Sequence, residues 1–305
     1  MENRVDGFLH YMAAERSASK NTIDAYRNDL NGFRSFVEKR NGNGIDADDC
    51  EIDRDLIVGY IGWLNGTDNQ YAKATVARKV AAVKSFCAFL LDHGELTSNP
   101  TASVSSPRAP KPVPKPMSTE QVDALLREPL RTATPEAIRD AAMLELMYAT
   151  GMRVTELVSL NLDSLHLSPR PAWVRCVGKG AKERTIPVYE QATQSLERYL
   201  DESRALLVKN RPQAALFANR RGERLTRQGF WLILKNYARS ANIDTSVTPH
   251  TLRHSFATHM LRGGASVRDV QELLGHANVS TTQVYTQLAD EHLREVYEQV
   301  HPRAG

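Results

Sequence analysis

The sequence predicts a mainly α-helical protein of two domains, with a small antiparallel β-sheet in the second domain. Apolar residues recur every three or four positions in residues 21–37 and 71–91, which is typical of helices with one buried face. A proline-rich stretch over residues 99–117 interrupts this pattern, since proline cannot continue a helix and favours extended chain. Two short runs, residues 173–177 and 183–188, flank a Gly-Lys-Gly turn and predict a β-hairpin.

The first domain is expected to cover residues 1–98 as helices joined by short polar breaks. Between the two periodic segments a further helix is predicted over residues 56–64. The helix over residues 71–91 contains four basic residues and no acidic one, which favours contact with DNA over an ordinary solvated surface. These basic residues are Lys73, Arg78, Lys79 and Lys84.

Residues 99–117 form the expected linker, and residues 118–305 form the second domain. Ser118 and Gln121 have the spacing of a capping box and therefore predict the start of a helix. A further helix is predicted over residues 135–148, and the hairpin follows it. The second domain is thus expected to be mostly helical around a small sheet.

The helical pattern returns over residues 226–300 and ends in an apolar stripe broken once by a histidine. Such a stripe at the end of a chain needs a surface that covers it. Periodicity leaves open whether that surface belongs to the same domain or to a neighbouring subunit. The stripe consists of Leu288, His292, Val296 and Val300.

Composition sets broad limits on the kind of protein. The chain has 305 residues, and 39 lysines and arginines against 36 acids give a formal charge of +3, which is too small to establish a nucleic-acid partner. No apolar run reaches the roughly 20 residues that span a membrane, and the N-terminus lacks the features of a secretory signal. Cys50, Cys87 and Cys176 are scattered and odd in number, so we expect reduced thiols in a cytoplasmic protein.

Five residues of the second domain form a set suited to attack on a phosphodiester. Guanidinium groups match the non-bridging oxygens of a phosphate and bind them more strongly as charge develops in the transition state. Imidazoles transfer protons, and a phenol near cations gains phenolate character and can attack phosphorus. Taken singly, each would be read as an ion-pair partner or a core residue. The set is Arg153, His250, Arg253, His276 and Tyr285.

The first histidine and the second arginine share the start of one helix. Thr248 and Pro249 predict that start, with His250 in the first turn and Arg253 on the same face. The unpaired N–H groups of a helix start attract anions, which suits a phosphate. His250 and His254 also have the spacing of a zinc pair, but a threonine stands where the metalloprotease motif requires glutamate. We therefore expect no metal site here.

The second histidine and the tyrosine are expected at two neighbouring helix ends. Ser266 should cap a helix that finishes at Gly275, directly before His276. Ser280, followed three residues later by glutamine, predicts the start of the helix that carries Tyr285.

Two further residues complete the candidate site. Lys179 lies between two glycines at the hairpin tip, where it could protonate a departing 5′ hydroxyl; the alternative is a solubilising turn residue. No serine or threonine follows it, so the Gly-Lys pair is not a P-loop. Glu156, one helical turn beyond Arg153, is expected to hold that arginine in place. A tyrosine ester conserves the energy of the phosphodiester, so neither ATP nor a metal cofactor is expected.

Together these motifs resemble the tyrosine recombinase, or phage integrase, family, and within it the Xer site-specific recombinases. The resemblance extends over nearly the whole chain. The Lys-Glu-Arg run of the second hairpin strand and the ending His-Pro-Arg-Ala favour the Xer subgroup. The matching blocks are residues 19–22, 148–153, 178–180, 250–253 and 274–276, together with Tyr285.

The resemblance implies a two-domain clamp around duplex DNA, made of a helical, SAM-like core-binding domain and an α+β catalytic domain. It implies that Tyr285 attacks the scissile phosphate and leaves a 3′-phosphotyrosyl bond and a 5′ hydroxyl. Arg153 and Arg253 would stabilise the pentacoordinate phosphorus. His250 and His276 would assist proton transfer and phosphate contacts.

The same resemblance, together with the positive charges, indicates residues that contact DNA outside the catalytic set. They lie at the start of the second helix, on the basic helix, and near the predicted helix start at Thr226. The candidates are Lys20, Asn21, Thr22, Lys73, Arg78, Lys79, Lys84, Arg224, Arg227 and Gln228.

The implied partner is double-stranded DNA with a specific recombination site, bound by a tetramer, and no membrane partner is expected. The tetramer would contain either this chain alone or this chain with a second recombinase. The sequence leaves open whether a DNA translocase must activate strand exchange. The expected role is resolution of chromosome dimers at cell division, with the last helix of each subunit donated to a neighbour. The alternatives are a phage or mobile-element integrase, a monomeric type IB topoisomerase and a non-catalytic DNA-binding regulator.

Overall fold

The chain folds into two compact units, Met1–Pro112 and Val113–Gly305, and their division lies within the segment expected to link two domains. Both units are helical, and the second also contains a small antiparallel sheet, which confirms the predicted fold class. The structure, a computed structural model, describes residues 1–16, 18–41, 51–66, 71–105, 115–178, 183–209, 211–243, 246–275 and 287–304.

Four helices make up the described part of the first unit. Their bounds include the predicted segments 21–37 and 56–64, while the predicted segment 71–91 begins two residues before its helix. The Asp53 side chain caps the third helix by accepting a hydrogen bond from the Leu56 N–H at 2.7 Å. The helices are α1 Glu2–Ala14, α2 Lys20–Asn41, α3 Arg54–Asn65 and α4 Lys73–Asp92.

An aromatic cluster holds these four helices together. Phe8 of α1 meets Phe86 of α4 edge-on, with ring centroids 5.7 Å apart. Phe33 of α2 meets Tyr60 of α3 in the same way at 4.9 Å. Each pair joins two helices and buries large apolar area in well-ordered geometry, so the first unit has a core of its own.

The second unit contains nine helices among its described residues. The run Glu190–Val208 is helical throughout, with a π-helical section, Tyr199–Arg204, between two α-helices. A short 3₁₀ helix, Glu128–Arg131, follows the first helix. The helices are α5 Thr119–Arg127, α6 Pro135–Thr150, α7 Val154–Ser159, α8 Glu190–Arg198, α9 Ala205–Val208, α10 Arg227–Ser240, α11 Pro249–Gly263, α12 Val267–Leu274 and α13 Gln287–Val300.

The predicted helix signals are present in this unit. Ser118 and Gln121 form both bonds of a capping box at the start of α5. Thr248 accepts from the backbone of α11, and Ser266 caps α12. Helix α12 ends at Gly275, in the left-handed conformation with φ of 66°. These confirmed ends determine where the chain turns on either side of the candidate catalytic residues.

The sheet of the second unit has three antiparallel strands in the order β1 Leu165–His166, β2 Trp173–Val177 and β3 Glu183–Pro187. The hairpin of β2 and β3 is confirmed, although β3 ends one residue before the predicted position. Strand β1 was not predicted, because two residues are too few to show a periodicity. Cys176 and Arg184 are paired across the hairpin, and both are buried.

The last helix, α13, packs on its own unit. Leu293 and Tyr297 are buried, and the Tyr297 hydroxyl donates to the Ala149 carbonyl of α6 at 2.9 Å. Of the predicted apolar stripe, Val296 and Val300 are half-buried and pack against the core, and His292 is exposed. The side chain of Leu288 lies outside the described residues, and the most deeply buried positions fall one residue after the stripe. The sequence pattern alone does not show which residues of an amphipathic helix are buried most deeply.

Residues beyond α13 extend this packing with polar anchors. The His301 ring is buried among the rings of Tyr148, Tyr189, Phe256 and Tyr297. The Arg303 guanidinium then forms ion pairs with Asp123 and with buried Glu145, the latter at 2.8 Å. The chain end is thus attached to α5, α6 and α8, since Arg303 also donates to Gln191 at 2.6 Å.

Two further expectations concern cysteines and membranes. Cys87 and Cys176 are unpaired and buried, and burial raises the pKa of each thiol to about 12, which keeps both protonated; Cys50 lies outside the described residues. Across the described ranges, the structure has no helix that is both long and apolar enough to span a membrane.

The burial of His301 predicts a pH-dependent stability of the second unit. Burial, assisted by the Arg303 charge, lowers the pKa of His301 to about 3, whereas an unfolded histidine has a pKa of about 6.5. Between these values the unfolded chain binds the proton and the folded chain does not. The contribution of neutral His301 to the free energy of unfolding is therefore complete above about pH 6.5. It decreases by about 1.4 kcal/mol per pH unit as the pH falls toward 3.

His301→Phe retains a ring in the aromatic cluster. It should lower the number of protons taken up on unfolding below pH 6.5 by about one, and so flatten the pH dependence of the free energy of unfolding. The measurement is urea unfolding between pH 7 and pH 4.5. His292→Gln is the control, because the His292 ring is exposed on the neighbouring helix and the substitution should leave the slope at low pH in place. Equal slopes for the wild type and His301→Phe would contradict the assignment.

Candidate active site

Arg253 is held at the centre of the candidate site by two backbone carbonyls. Its Nη1 donates to the Gly151 carbonyl at 2.6 Å, and its Nη2 donates to the Leu274 carbonyl at 2.9 Å. The residue is only 7% exposed, whereas His250, in the first turn of the same helix, is exposed. Arg253 therefore joins α11 to the end of α6 and to the end of α12.

Arg153 lies directly before α7 and is held by Glu156, as predicted. The Glu156 carboxylate accepts from the Arg153 backbone N–H at 2.6 Å and from its Nη1 at 3.3 Å. The Arg153 side chain is 42% exposed, so its guanidinium remains accessible to a ligand. The two predicted arginines thus lie on neighbouring segments, because Arg253 binds the carbonyl of Gly151, two residues before Arg153.

A third arginine, Arg184 of β3, was missed by the sequence reasoning. Its Nη1 and Nη2 donate to the two oxygens of Glu156 at 2.8 and 3.0 Å, and its Nε donates to the Leu273 carbonyl at 3.0 Å. A signal existed, because Arg184 occupies an inward position of β3 in register with buried Cys176. A cation at a core position of a strand requires a buried counter-ion.

The cluster of Arg153, Arg184, Arg253 and Glu156, which we call the arginine cluster, carries more positive than negative charge. Burial, followed by the neighbouring Arg153 charge, lowers the pKa of Arg253 to about 10, so it remains protonated at neutral pH. For Glu156, burial opposes ionisation, but hydrogen bonds and charges of Arg184 and Arg153 prevail and lower its pKa. Three guanidiniums against one carboxylate make this cluster a site for an anion.

Two glycines allow the chain to pass through this cluster. Gly151 has a φ of 57°, and a Cβ at this position would lie 2.2 Å from Phe256 Cδ1 and 2.9 Å from Leu274 Cδ2. Gly275 has a φ of 66°, and its Cβ would lie 3.0 Å from Nη1 of Arg184. Neither position tolerates a side chain. The two carbonyls that Arg253 binds belong to Gly151 itself and to Leu274, the residue before Gly275, so both depend on a glycine for their position.

Three of the predicted catalytic residues, Lys179, His276 and Tyr285, lie outside the described residues. The described chain stops at Gly178 and at Gly275, directly before the first two of them. Within the ranges that the structure describes, no cluster of three or more histidine, cysteine or acidic side chains could hold a metal ion.

The chain matches two protein families. The phage integrase family matches residues 115–292, more than half of the chain, and the N-terminal SAM-like domain of phage integrases matches residues 5–94. The chain belongs to the phage integrase family. Residues 115–292 include every member of the arginine cluster and all six predicted catalytic residues.

Relatives identify the branch of the family. The chain is 46% identical to a tyrosine recombinase XerC of Herpetosiphon aurantiacus over 291 residues, which cover 95% of this chain and 92% of the relative. It is 45% identical to a tyrosine recombinase XerD of Halalkalibacterium halodurans over 304 residues, covering 100% and 99% of the two chains. This chain is thus a site-specific tyrosine recombinase of the Xer type.

Solved structures share the fold. A XerH site-specific recombinase bound to a palindromic difH substrate, in a post-cleavage complex, matches with a TM-score of 0.69 at 21% identity, covering 93% of this chain and 81% of that one. A lambda integrase tetramer bound to a Holliday junction matches with a TM-score of 0.66 at 15% identity, covering 93% and 80%. These likenesses confirm the two-domain architecture.

The predicted DNA-contacting residues of the first unit fall into two groups, those with accessible side chains and those bonded to other groups of the protein. At the start of α2, Lys20 and Asn21 are exposed and Thr22 is half-buried, and on α4 Lys73 is exposed. The other basic residues of α4 are engaged within the protein. Buried Asp29 pairs with Arg78 and with Lys79, the latter at 3.3 Å, and Lys84 donates to the Val104 carbonyl.

In the second unit, Arg224 is also engaged internally. Its Nη1 donates to the carbonyls of Val158 and Leu160, each at 2.9 Å, and its Nη2 donates to the Asn161 side chain. A phosphate contact by Arg224 would have to compete with these bonds. Arg227 and Gln228, by contrast, are exposed in the first turn of α10.

Gly151→Ala should destabilise the second unit by about 3 kcal/mol and reduce DNA cleavage. The left-handed backbone adds about 1–2 kcal/mol of strain for a non-glycine residue, and the clash with Phe256 adds about 1–3 kcal/mol. The displaced carbonyl also no longer positions Arg253. The measurements are urea unfolding and single-turnover cleavage.

Gly264→Ala provides the control. Gly264 has a φ of 109° in the same unit, but its Cβ would meet the nearest atom, Val300 Cγ1, only at 4.0 Å. This variant should show the backbone strain alone, about 1–2 kcal/mol, with cleavage by the folded protein unchanged. Equal losses in the two variants would contradict the close packing assigned to Gly151.

Proposed function

We propose that this recombinase cuts and rejoins DNA at a specific recombination site through a 3′-phosphotyrosyl bond to Tyr285. Its cellular role would be the resolution of chromosome dimers in the cytoplasm at cell division. The observation that carries the proposal is the arginine cluster. It contains Arg153 and Arg253, and its guanidinium groups outnumber its carboxylates. Lys179 stands two residues after β2, the strand paired with β3, and His276 stands two residues after α12, whose terminal carbonyls bind Arg184 and Arg253.

Each residue would have a defined part in the reaction. The Tyr285 oxygen forms a bond to phosphorus while the bond from phosphorus to the 5′ oxygen breaks, and Lys179 gives that oxygen its proton. Arg153 and Arg253 neutralise the charge on the non-bridging oxygens. His250 and His276 assist the proton transfers, which include removal of the phenolic proton from Tyr285. Attack by the partner strand's 5′ hydroxyl reverses the reaction and restores the phenol.

The proposed assembly is a tetramer on double-stranded DNA. The lambda integrase neighbour is a tetramer bound to a Holliday junction, and the XerH neighbour is bound to a difH substrate. Relatives named XerC and XerD are almost equally similar to this chain, which supports both a tetramer of one protein and a tetramer shared with a second recombinase. Activation by a DNA translocase is part of the same proposal.

The C-terminal helix would take part in this assembly. In the structure, Leu293, Tyr297 and His301 are buried against their own unit. A neighbouring subunit would present the same surface, so donation of α13 would replace each intramolecular contact by an identical intermolecular one and close a ring.

Tyr285→Phe tests the nucleophile. Target duplexes are first selected by binding from a randomised pool and then nicked beside the scissile phosphate, so that the short 5′-hydroxyl fragment is lost and the covalent bond persists. The wild type should give a protein–DNA adduct on a denaturing gel, and Tyr285→Phe should give none while binding the duplex with unchanged affinity.

An adduct that survives in Tyr285→Phe would remove this residue from the nucleophile's role. Absence of an adduct in the wild type would favour a DNA-binding regulator. Exchange between two duplexes that carry the site then separates a recombinase from a monomeric topoisomerase, which relaxes supercoils without exchanging partners.

Lys179→Ala tests the general acid. The variant should cleave normal DNA about 100-fold or more slowly, since general acid catalysis contributes about 10²–10⁴-fold. Sulfur in place of the 5′-bridging oxygen should restore most of the rate, because a thiolate leaves without a proton. Arg153→Ala is the matched control and should not be rescued by the sulfur. Failure of the sulfur substrate to rescue Lys179→Ala would assign this lysine to DNA binding or to the shape of the hairpin.

A further inference from the structure

Glu156 lies between two arginines and binds them unequally. Arg184 approaches the carboxylate with both Nη atoms, at 2.8 and 3.0 Å, in the paired geometry that guanidinium and carboxylate groups favour. Arg153 reaches it with Nη1 alone at 3.3 Å. The stronger ion pair of the carboxylate is therefore with Arg184 rather than with the predicted catalytic arginine.

Burial reinforces this inequality. The side chains of Glu156 and Arg184 are 5% and 7% exposed, whereas that of Arg153 is 42% exposed. A buried charge that loses its partner is strongly unfavourable, while an exposed pair contributes little. Glu156 and Arg184 thus neutralise each other inside the protein, and the Arg153 guanidinium keeps its charge at the surface of the cluster.

Arg184 has a second function in the geometry of the cluster. Its Nε donates to the Leu273 carbonyl at 3.0 Å, and Arg253 donates to the next carbonyl, that of Leu274, at 2.9 Å. These are the last two residues of α12, whose carbonyls find no partner within the helix and carry the negative end of its dipole. Two guanidiniums therefore fix the helix end that leads into His276.

We propose that Arg184 is a positioning residue of the recombination reaction: it neutralises Glu156, so that Arg153 remains available to the scissile phosphate, and it fixes α12 against α7. The proposal rests on the proposed function, because it assumes that Arg153 acts on the phosphate. In this proposal Arg184 makes no contact with the substrate. It acts through Glu156, and through the backbone at Leu273.

Loss of Arg184 would reduce the positive charge that is available to the scissile phosphate. Without it, the buried Glu156 carboxylate turns to Arg153, whose Nη1 is already 3.3 Å away. Arg153 would then be drawn into a tight ion pair and withheld from the phosphate. Removal of one transition-state donor costs about 10²–10³-fold in rate. Arg184→Met should therefore slow single-turnover cleavage about 100-fold or more, with DNA affinity nearly unchanged.

Arg184→Met combined with Glu156→Gln separates this effect from a loss of folding. The glutamine oxygen can still accept from the Arg153 backbone N–H, but it has no charge with which to capture the guanidinium. The double variant should cleave at least about 10-fold faster than Arg184→Met alone. A purely structural role for Arg184 predicts no such recovery, and its absence would overturn the proposal.

Arg139→Met is the matched control. Arg139 is also buried, pairs with Asp140 at 2.7 Å and donates to the Ala218 carbonyl at 2.9 Å, but it lies outside the arginine cluster. Its loss should lower stability without changing the rate of cleavage by the folded protein. Thermal unfolding of every variant identifies the folded fraction. A cleavage loss in Arg139→Met as large as that in Arg184→Met would contradict a specific role for Arg184.

A neutral scissile phosphate gives an independent readout. A methylphosphonate at this position removes the charge of one non-bridging oxygen, so a variant that has lost arginine charge should be less impaired on it. Arg184→Met should follow Arg153→Ala in this respect, and the losses of the two variants should combine to less than their sum. Fully additive losses, or an equal penalty on both substrates, would overturn the proposal. Full activity of Arg153→Ala would instead refute the proposed function itself.

Discussion

The shared carboxylate of Glu156 is the interaction on which the catalytic unit depends. Three guanidiniums gather around one buried acid, and their mutual repulsion would separate α7, β3 and α11 if no acceptor stood between them. Glu156 accepts two hydrogen bonds from Arg184 and two from Arg153, so all its acceptor oxygens are engaged. The residual positive charge is met by backbone carbonyls and, in the proposed reaction, by a phosphate.

The backbone supplies the remaining acceptors through two helix ends. Helices α6 and α12 both end in a left-handed glycine, at Gly151 and Gly275, and both direct a terminal carbonyl to Arg253. A helix C-terminus carries partial negative charge, so two such ends stabilise a buried cation that lacks a carboxylate of its own. Burial and the neighbouring Arg153 charge lower the pKa of Arg253 to about 10, so its charged form is less favoured than in water and an anion at the site would stabilise it.

The sequence predicted those features that depend on local patterns. Helix starts at Ser118, Thr248 and Ser266 follow from capping chemistry, and the hairpin follows from its turn, because each is determined within a few residues. The Glu156 partner of Arg184 and the internal bonds of Arg224 depend on residues far away in sequence, so no local pattern indicates them. Which residues of α13 are buried most deeply also depends on distant residues, since a periodic stripe does not specify what covers it.

Helix α6 connects the chain end to the arginine cluster. The Tyr297 hydroxyl donates to the Ala149 carbonyl, two residues before Gly151, and Arg303 pairs with Glu145 one turn earlier. The same last turn of α6 therefore receives the C-terminal segment on one side and presents the Gly151 carbonyl to Arg253 on the other. Because packed interiors transmit small displacements rather than absorb them, undocking of the C-terminal segment would reach the cluster through this turn. The contacts of Tyr297 and Arg303 with α6 are therefore continuous in structure with the carbonyl that holds Arg253.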